Sequence, residues 1–212
     1  MSIILNKISD AVRDGDDILT VELVKKALEN AVPAVDILNR GLVPGVQALS
    51  SLFKDGQAYL PEILISVRAM NRGLELLQTE LGTIDIKKRG TVVLGTVEGD
   101  IHDIGKNLVG MMLTSNGFNV VDIGVDVSAD TFVNAIRENN ADIVAMSALL
   151  TTTMPSIKTV IKALRESALR ENVKVMIGGA SVSRDYADEI GADGFAPDCV
   201  SAVDEAARLM KH

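Results

Sequence analysis

The stretch TVVLGTVEGDIHDIG, residues 91–105, decides how the second half of this chain folds. It opens with a β-branched, apolar run over residues 91–95, which predicts a short buried strand. A turn containing glycine and acidic residues follows, and a helical pattern begins at about Gly105. Near-continuous apolar strands that alternate with amphipathic helices predict a parallel sheet covered by helices on both faces.

The rest of the second half repeats this alternation. Further strands are expected at residues 119–123, 143–146 and 173–177, with a weaker one at 194–196, and helices at about residues 105–115, 129–139, 155–166 and 198–210. Five such βα units predict a flavodoxin-like doubly wound domain with a five-stranded parallel sheet. Its ligand site is expected at the carboxyl ends of the strands.

The first eighty or so residues show a helical period and nothing typical of a strand. Asp14-Gly15-Asp16 should end a first helix, and Asp16 or Asp17 should cap the second. Pro33 falls near the start of a third helix, which residues 41–45 are expected to interrupt, and Pro61 should start the last one. We therefore predict an all-α helical bundle over residues 1–88, a linker at residues 81–90, and the α/β domain over residues 89–212.

Composition excludes several classes of protein. The formal net charge is −8 and there is a single cysteine, Cys199, so neither a basic nucleic-acid surface nor an internal disulfide is expected. No apolar run is long enough to span a bilayer, and the first residues lack the pattern of a signal peptide. These features predict a cytoplasmic protein that binds neither nucleic acid nor a membrane.

Three motifs follow the predicted strands at set distances. Asp100-x-His102-x-x-Gly105 is followed after forty-one residues by Ser147-x-Leu149, and after another twenty-eight by Gly178-Gly179. This pattern resembles the B12-binding domain shared by methionine synthase, the corrinoid mutases and the methyltransferase corrinoid proteins. The resemblance implies a cobalamin bound base-off/His-on, in which the dimethylbenzimidazole tail leaves cobalt and His102 becomes the lower axial ligand of the metal.

The residue types suit that chemistry. Imidazole is a good donor to cobalt, and a carboxylate on its other nitrogen, here expected from Asp100, fixes its tautomer and orientation. The resemblance implies that the Ser147 hydroxyl bonds the benzimidazole, that Leu149 packs beside it, and that Thr153 completes a ligand triad with the Asp and His. The other residues expected to contact the cofactor are Asp103, Ile104, Gly105, Thr151, Gly178 and Gly179. Alternatively, the threonines cap the helix that begins near Pro155, and the glycines form an ordinary turn.

A second resemblance lies in the helical half. FKDGQAYLPEI, residues 53–63, is similar to the segment of the methionine synthase cap that covers the upper face of the corrin. The resemblance implies that Phe53, Tyr59, Leu60 and Ile63 take this role and shield the metal from water and oxygen. Alternatively, these are ordinary core residues of the bundle.

The resemblance spans nearly the whole chain and leaves no part of it for a substrate-binding barrel. It implies the corrinoid subunit of a multi-component methyltransferase system, a methyl carrier rather than a complete enzyme. Such a carrier, loaded with methylcobalamin or hydroxocobalamin, cycles between Co(I) and methyl-Co(III). It takes a methyl group from a substrate-specific methyltransferase and passes it to a second one, which uses tetrahydrofolate or coenzyme M. A reductive activase is a further expected partner, and residues 81–90 would be the hinge of the cap.

Other functions fit less well. A phosphorylated receiver domain needs an aspartate after the third strand and a lysine after the fifth, where Ser147 and Pro197 lie. A flavin or dinucleotide binder needs a phosphate-binding loop after the first strand, where this chain is acidic. The alternative that stays open is a B12-dependent sensor or regulatory binding module, although the first eighty residues lack a basic DNA-recognition helix.

Overall fold

The computed structural model describes residues 2–81 and 89–211, with the backbone alone described at residues 2 and 78–81. The chain divides into two compact units, Met1–Asp85 and Ile86–His212, which are described separately. The domain boundary at residue 88 and most of the hinge expected at residues 81–90 fall on residues 82–88, outside the described residues, and both stay predictions.

The first unit is helical, as its sequence period predicts. Its helices are α1 (Ser2–Arg13), α2 (Asp17–Glu29), α3 (Ala34–Ile37), α4 (Val43–Lys54) and α5 (Leu60–Leu81), with a π-helical turn at Leu38–Leu42. The predicted cap is confirmed at Asp16, whose carboxylate accepts the Leu19 N–H at 2.9 Å. On α5 the predicted apolar stripe is buried at Ile63, Val67 and Met70. Among the described residues, no helix is long and apolar enough to cross a membrane.

The helix break expected at residues 41–45 is wrong. The chain passes from α3 through the π-helical turn into α4 without leaving a helical conformation. Pro44 has no N–H to offer an α-helical bond, and the wider turn just before it accommodates this loss. Gly45 serves packing, because a Cβ there would lie 2.6 Å from the Ser9 carbonyl oxygen on α1.

The second unit is the predicted doubly wound α/β domain. Its strands are β1 (Thr91–Thr96), β2 (Asn119–Asp122), β3 (Ile143–Ser147), β4 (Lys174–Gly178) and β5 (Gly194–Ala196). Its helices are α6 (Ile104–Ser115), α7 (Ala129–Asn139), α8 (Met154–Glu166), α9 (Arg184–Ile190) and α10 (Cys199–Leu209). All neighbouring strands are parallel, in the order β2-β1-β3-β4-β5. Helix α9 was not predicted, although Ser183 caps its start and Gly191, at φ 74°, ends it.

The sheet order places the three motifs side by side. Thr96 at the end of β1 lies opposite Ser147 at the end of β3, and Ser147 lies opposite Gly178 at the end of β4. The strand order reverses between β1 and β3, which makes this edge the switch point where doubly wound sheets bind ligands. Motifs that are far apart in sequence therefore meet at one edge of the sheet.

Candidate functional site

The Asp100 carboxylate is the centre of the site. It is buried and accepts four hydrogen bonds. One oxygen accepts the His102 backbone N–H at 3.1 Å and contacts the His102 ring nitrogen Nδ1 at 2.7 Å. The other accepts the Leu149 N–H and the Thr153 hydroxyl, each at 2.7 Å. A single buried carboxylate thus joins the loop after β1 to the loop after β3.

These bonds settle the charge of Asp100 and the tautomer of His102. Burial by itself raises the pKa of Asp100, but the bonds from Leu149, Thr153 and His102 together hold it well below the ordinary value. The carboxylate is therefore ionised at neutral pH and can only accept, so Nδ1 of His102 is the donor. A neutral ring then carries its lone pair on Nε2, and the side chain is 47% exposed. The site presents one oriented imidazole, with Nδ1 bonded to Asp100.

Thr96 has a role at the site that no sequence motif signals. This buried residue ends β1, and its hydroxyl donates to the His102 carbonyl oxygen at 2.9 Å. Asp100 N–H also donates to the Val97 carbonyl oxygen at 3.1 Å, which closes the turn between the strand and the motif. The only signal in the sequence was a threonine at the end of an apolar strand.

A buried lysine joins α6 to the end of β2. The Lys106 ammonium donates to the Asp122 carboxylate and, at 2.8 Å, to the Asn107 side chain. A buried lysine needs such a partner, since an unpaired charge in the interior is costly. The pair fixes the first turns of α6 directly after the His102 loop. The sequence analysis missed this pair because the two residues are sixteen positions apart.

Thr153 and Thr151 lie in different environments. Thr153 occupies the N-cap position of α8, but its hydroxyl makes no capping bond there. It lies instead between the Asp100 carboxylate and the Leu150 carbonyl oxygen, at 2.7 and 2.9 Å. Thr153 is thus brought together with Asp100 and His102, whereas Thr151 is exposed in the preceding turn.

The remaining motif residues line the open side of the site. Ser147 is half-buried, and its hydroxyl has no hydrogen-bond partner among the residues that the structure describes. Asp103 and Ile104 are exposed, with Ile104 at 77%. A Cβ on Gly105 would meet nothing within 4 Å. This side of the site has room for another molecule and holds a hydroxyl that could bond it.

Gly178 and Gly179 serve the sheet itself. A Cβ on Gly178 would lie 2.8 Å from the Ala196 carbonyl oxygen, and one on Gly179 would lie 2.1 Å from that of Ala148. Gly179 also has a φ of 118°, which L-residues rarely adopt. Each glycine is therefore required by neighbouring backbone, a reason that the sequence analysis did not give. Their expected contact with a cofactor stays a prediction.

The four expected cap residues differ in exposure. Tyr59 is 72% exposed, Phe53 and Leu60 are half-buried, and Ile63 is fully buried. The burial of Ile63 favours the alternative that it is a core residue of the bundle. These four residues belong to the first unit, and the Asp100 cluster belongs to the second.

The fold and the site define a class of protein. A doubly wound sheet presents one oriented imidazole at its switch point, beside open space and the Ser147 hydroxyl, for which residues 2–81 and 89–211 offer no partner. Among the described residues, no group of three or more His, Cys, Asp or Glu side chains could hold a metal ion. This arrangement is typical of a domain that binds a cofactor and gives it a single histidine contact.

Comparisons with known proteins name the family. Family models described as B12 binding domain match residues 90–204 and residues 4–78. A corrinoid protein of Desulfitobacterium hafniense is 42% identical over 210 residues, which cover 98% of this chain and 97% of the relative. Dimethylamine corrinoid protein 2 of Methanosarcina acetivorans is 43% identical over 209 residues, covering 98% and 96%.

Solved structures agree. A chain of the methanol:cobalamin methyltransferase complex of Methanosarcina barkeri has a TM-score of 0.87 at 31% identity, over 98% of this chain and 80% of that one. A cobalamin-binding protein of Desulfitobacterium hafniense has a TM-score of 0.82 at 30% identity, over 97% and 98%. This chain belongs to the B12-binding corrinoid proteins of methyltransferase systems.

Proposed function

We propose that this chain is the methyl-carrying subunit of a multi-component methyltransferase system and that it binds a corrinoid with His102 as the lower axial ligand. The observation that carries the proposal is the His102 ring at the switch point, with Nδ1 bonded to an ionised Asp100 and Nε2 free. The His102 imidazole would supply the protein's nitrogen donor to the cobalt of such a cofactor.

Three features of the structure fit a bound corrinoid. The His102 ring is half-exposed and so is accessible to a metal. The Ser147 hydroxyl, which has no partner among the described residues, is free to bond a nitrogen of the benzimidazole tail. The space beside Gly105 leaves a path for that tail past the start of α6. The residues expected to hold the cofactor are Asp100, His102, Asp103, Ile104, Gly105, Ser147, Leu149, Thr151, Gly178 and Gly179.

The chain's own groups manage one proton. With Nε2 bound to a metal, the Asp100 carboxylate would keep the ring proton on Nδ1 and make the imidazole a better donor. With Nε2 released, the same carboxylate would still hold the Nδ1 proton. The Thr153 hydroxyl and the Leu149 N–H hold the second carboxylate oxygen throughout. Asp100 would thus keep the His102 ring in one orientation whether or not Nε2 is bound to a metal.

A bound corrinoid would supply the methyl-transfer chemistry at its cobalt ion. The protein's share is to bind, orient and shield this centre. On the helical unit, the half-buried Phe53 and Leu60 and the exposed Tyr59 could exclude water from the reactive face. A substrate-specific methyltransferase would supply the methyl group, and a second, which uses tetrahydrofolate or coenzyme M, would remove it. Relatives named for dimethylamine, trimethylamine and methanol systems support this assignment.

Reconstitution tests the proposal. The purified chain is incubated with hydroxocobalamin and freed of excess ligand, and its visible spectrum is recorded. We expect uptake of one corrinoid per chain and, after one-electron reduction, an electron paramagnetic resonance spectrum with splitting from a single axial nitrogen. No stoichiometric uptake by the wild-type chain overturns the proposal.

The His102→Ala variant provides the matched control. It should lose the axial nitrogen splitting, and added imidazole should restore it by occupying the vacated position. Nitrogen splitting that persists in His102→Ala without imidazole would show that another group is the ligand. Binding that survives without the splitting would limit the role of His102 to coordination.

The carrier role is tested with partners. The chain loaded with methylcobalamin is mixed with a second methyltransferase and either tetrahydrofolate or coenzyme M, and methyl loss is followed by the visible spectrum. We expect loss with one acceptor only, and slower loss in His102→Ala. No methyl transfer with any partner methyltransferase, despite uptake of the corrinoid, would favour a sensor instead.

A further inference from the structure

A second loop holds the His102 loop from the side. The segment that follows β2 pairs with the end of β1, since Thr96 N–H donates to the Gly124 carbonyl oxygen and Val127 N–H donates to the Thr96 carbonyl oxygen, both at 3.0 Å. Two residues, Val125 and Asp126, lie between these two bonds, and the pairing continues with Val127 opposite Val97. The chain bulges there, and Asp126 projects from the bulge.

Asp126 makes two hydrogen bonds to the His102 loop. Its carboxylate accepts the Gly99 N–H at 2.7 Å, and its own N–H donates to the Asp100 carbonyl oxygen at 2.9 Å. The two bonds grip the peptide groups on either side of the Gly99–Asp100 link. Asp100 in turn holds His102 through its carboxylate. Asp126 therefore bonds the backbone of the residue that orients the ring and of Gly99 beside it.

The backbone at this point is strained. Asp126 has a φ of 53° and Gly99 has a φ of 84°, both in the left-handed region. A non-glycine residue adopts this conformation at a cost, and such costs are concentrated at functional positions. A glycine at position 126 would avoid the strain but would lack the carboxylate that Gly99 uses. The geometry therefore accounts for an aspartate here rather than a glycine.

We propose that Asp126 is a positioning residue, which holds Gly99 and Asp100 so that the His102 ring would be kept in one orientation toward a corrinoid. The inference rests on the proposed function for its purpose, but the clamp itself belongs to the protein without cofactor. Four other groups also hold this loop: the Thr96 hydroxyl on His102, the Ser156 hydroxyl on the Glu98 carbonyl oxygen at 3.0 Å, and the Thr153 hydroxyl and Leu149 N–H on Asp100. Asp126 alone among them grips both peptide groups that flank the Gly99–Asp100 link.

Three variants of the full chain test the clamp. Asp126→Gly and Asp126→Ala both remove the carboxylate, and only the first relieves the backbone strain. Asp126→Asn keeps a side-chain oxygen and tolerates the left-handed conformation. Circular dichroism and thermal melts establish that each variant is folded.

The first measurement is amide hydrogen exchange without cofactor. We expect the Gly99 amide to exchange about tenfold faster or more in Asp126→Gly and Asp126→Ala, and within about threefold of wild type in Asp126→Asn. Exchange at the wild-type rate in both deletion variants, or equal acceleration in Asp126→Asn, overturns the clamp.

The second measurement is hydroxocobalamin binding. We expect affinity about fivefold to tenfold weaker in the two deletion variants, a smaller fraction of bound corrinoid with axial nitrogen splitting, and recovery of both in Asp126→Asn. If Gly99 exchange is faster but binding and splitting match wild type, the positioning role is overturned while the clamp stands. If wild type itself takes up no corrinoid, the proposed function fails, and the exchange data still decide the clamp.

Discussion

Two loops at the carboxyl edge of the sheet are held in place by different interactions. The loop after β1, residues 97–103, is held by hydrogen bonds that meet at Asp100. His102 in this loop and Ile104 directly after it are exposed. The loop after β4 is held by close backbone contact, because Gly178 and Gly179 let it approach the ends of β5 and β3. One loop fixes a functional group, and the other fixes the framework beside it.

Residues of one sequence motif can have different structural roles. Both loops belong to the same sequence pattern, which does not distinguish the role of one member from that of another. The structure separates residues that act through polar bonds from residues that act through the absence of a side chain. Substitutions should therefore affect ligand binding in the first loop and folding in the second.

The largest effect is expected for Gly179→Ala. The new methyl group would lie 2.1 Å from the Ala148 carbonyl oxygen, and φ is 118°. We expect the free energy of unfolding, from urea titration, to fall by roughly 3 kcal/mol or more. Gly124→Ala is the matched control, since φ is 89° there but a Cβ meets nothing within 4 Å. It should lose only about 1 kcal/mol. Equal losses of stability in the two variants would show that the collision with the Ala148 carbonyl oxygen is not the cause.

Asp100→Asn should weaken the first loop and alter its response to acid. We expect a loss of about 2 kcal/mol at pH 7, because the amide keeps one acceptor oxygen and its NH2 group cannot accept from the two donors that the other carboxylate oxygen served. The folded-state pKa of Asp100 lies below the unfolded value of 3.8, so its stabilisation is complete above that pH and is lost as pH falls below it. Wild type should therefore lose stability more steeply than Asp100→Asn as pH falls below about 4. Asp103→Asn, an exposed neighbour, is the control, and identical acid profiles for Asp100→Asn and wild type would contradict the argument.

Thr153→Val tests a single bond of the same cluster. It keeps the shape of the side chain and removes the hydroxyl that donates to Asp100. We expect a loss of about 1 kcal/mol in thermal or urea unfolding, with Thr153→Ser retaining most of the stability. Thr152→Val, at an exposed neighbouring position, should change little. If Thr152→Val costs as much as Thr153→Val, the Asp100 bond is not the cause.

The smallest effect on stability is expected for Gly105→Ala. A Cβ there meets nothing within 4 Å and φ is not positive, so stability should change by at most about 0.5 kcal/mol. Binding should respond instead, since the methyl group enters the space proposed for the cofactor tail. Hydroxocobalamin titration should show weaker uptake than wild type. Unchanged uptake would show that the tail does not pass Gly105.

The sequence predicted the fold well because the strand and helix periods of residues 91–210 were unambiguous. It also identified Asp100, His102 and Thr153, which the structure brings together. It missed helix α9, the continuous helix at residues 38–54, and the contacts of Thr96, Lys106 and Asp126. These contacts join residues that are distant in sequence or look ordinary in it, so neither period nor motif spacing signals them.

Local sequence patterns predicted the five strands and, apart from α9, the helices of the second unit in order, and they placed three motifs at strand ends, since side-chain period and turn residues are local properties. Only the tertiary structure decided which atoms meet. The burial of Asp100, the direction of its four hydrogen bonds and the resulting tautomer of His102 depend on the register of β1 against β3. So does the closeness of Gly179 to Ala148. The physical reason is that hydrogen bonds and steric limits act over a few ångströms in space, whatever the separation along the chain.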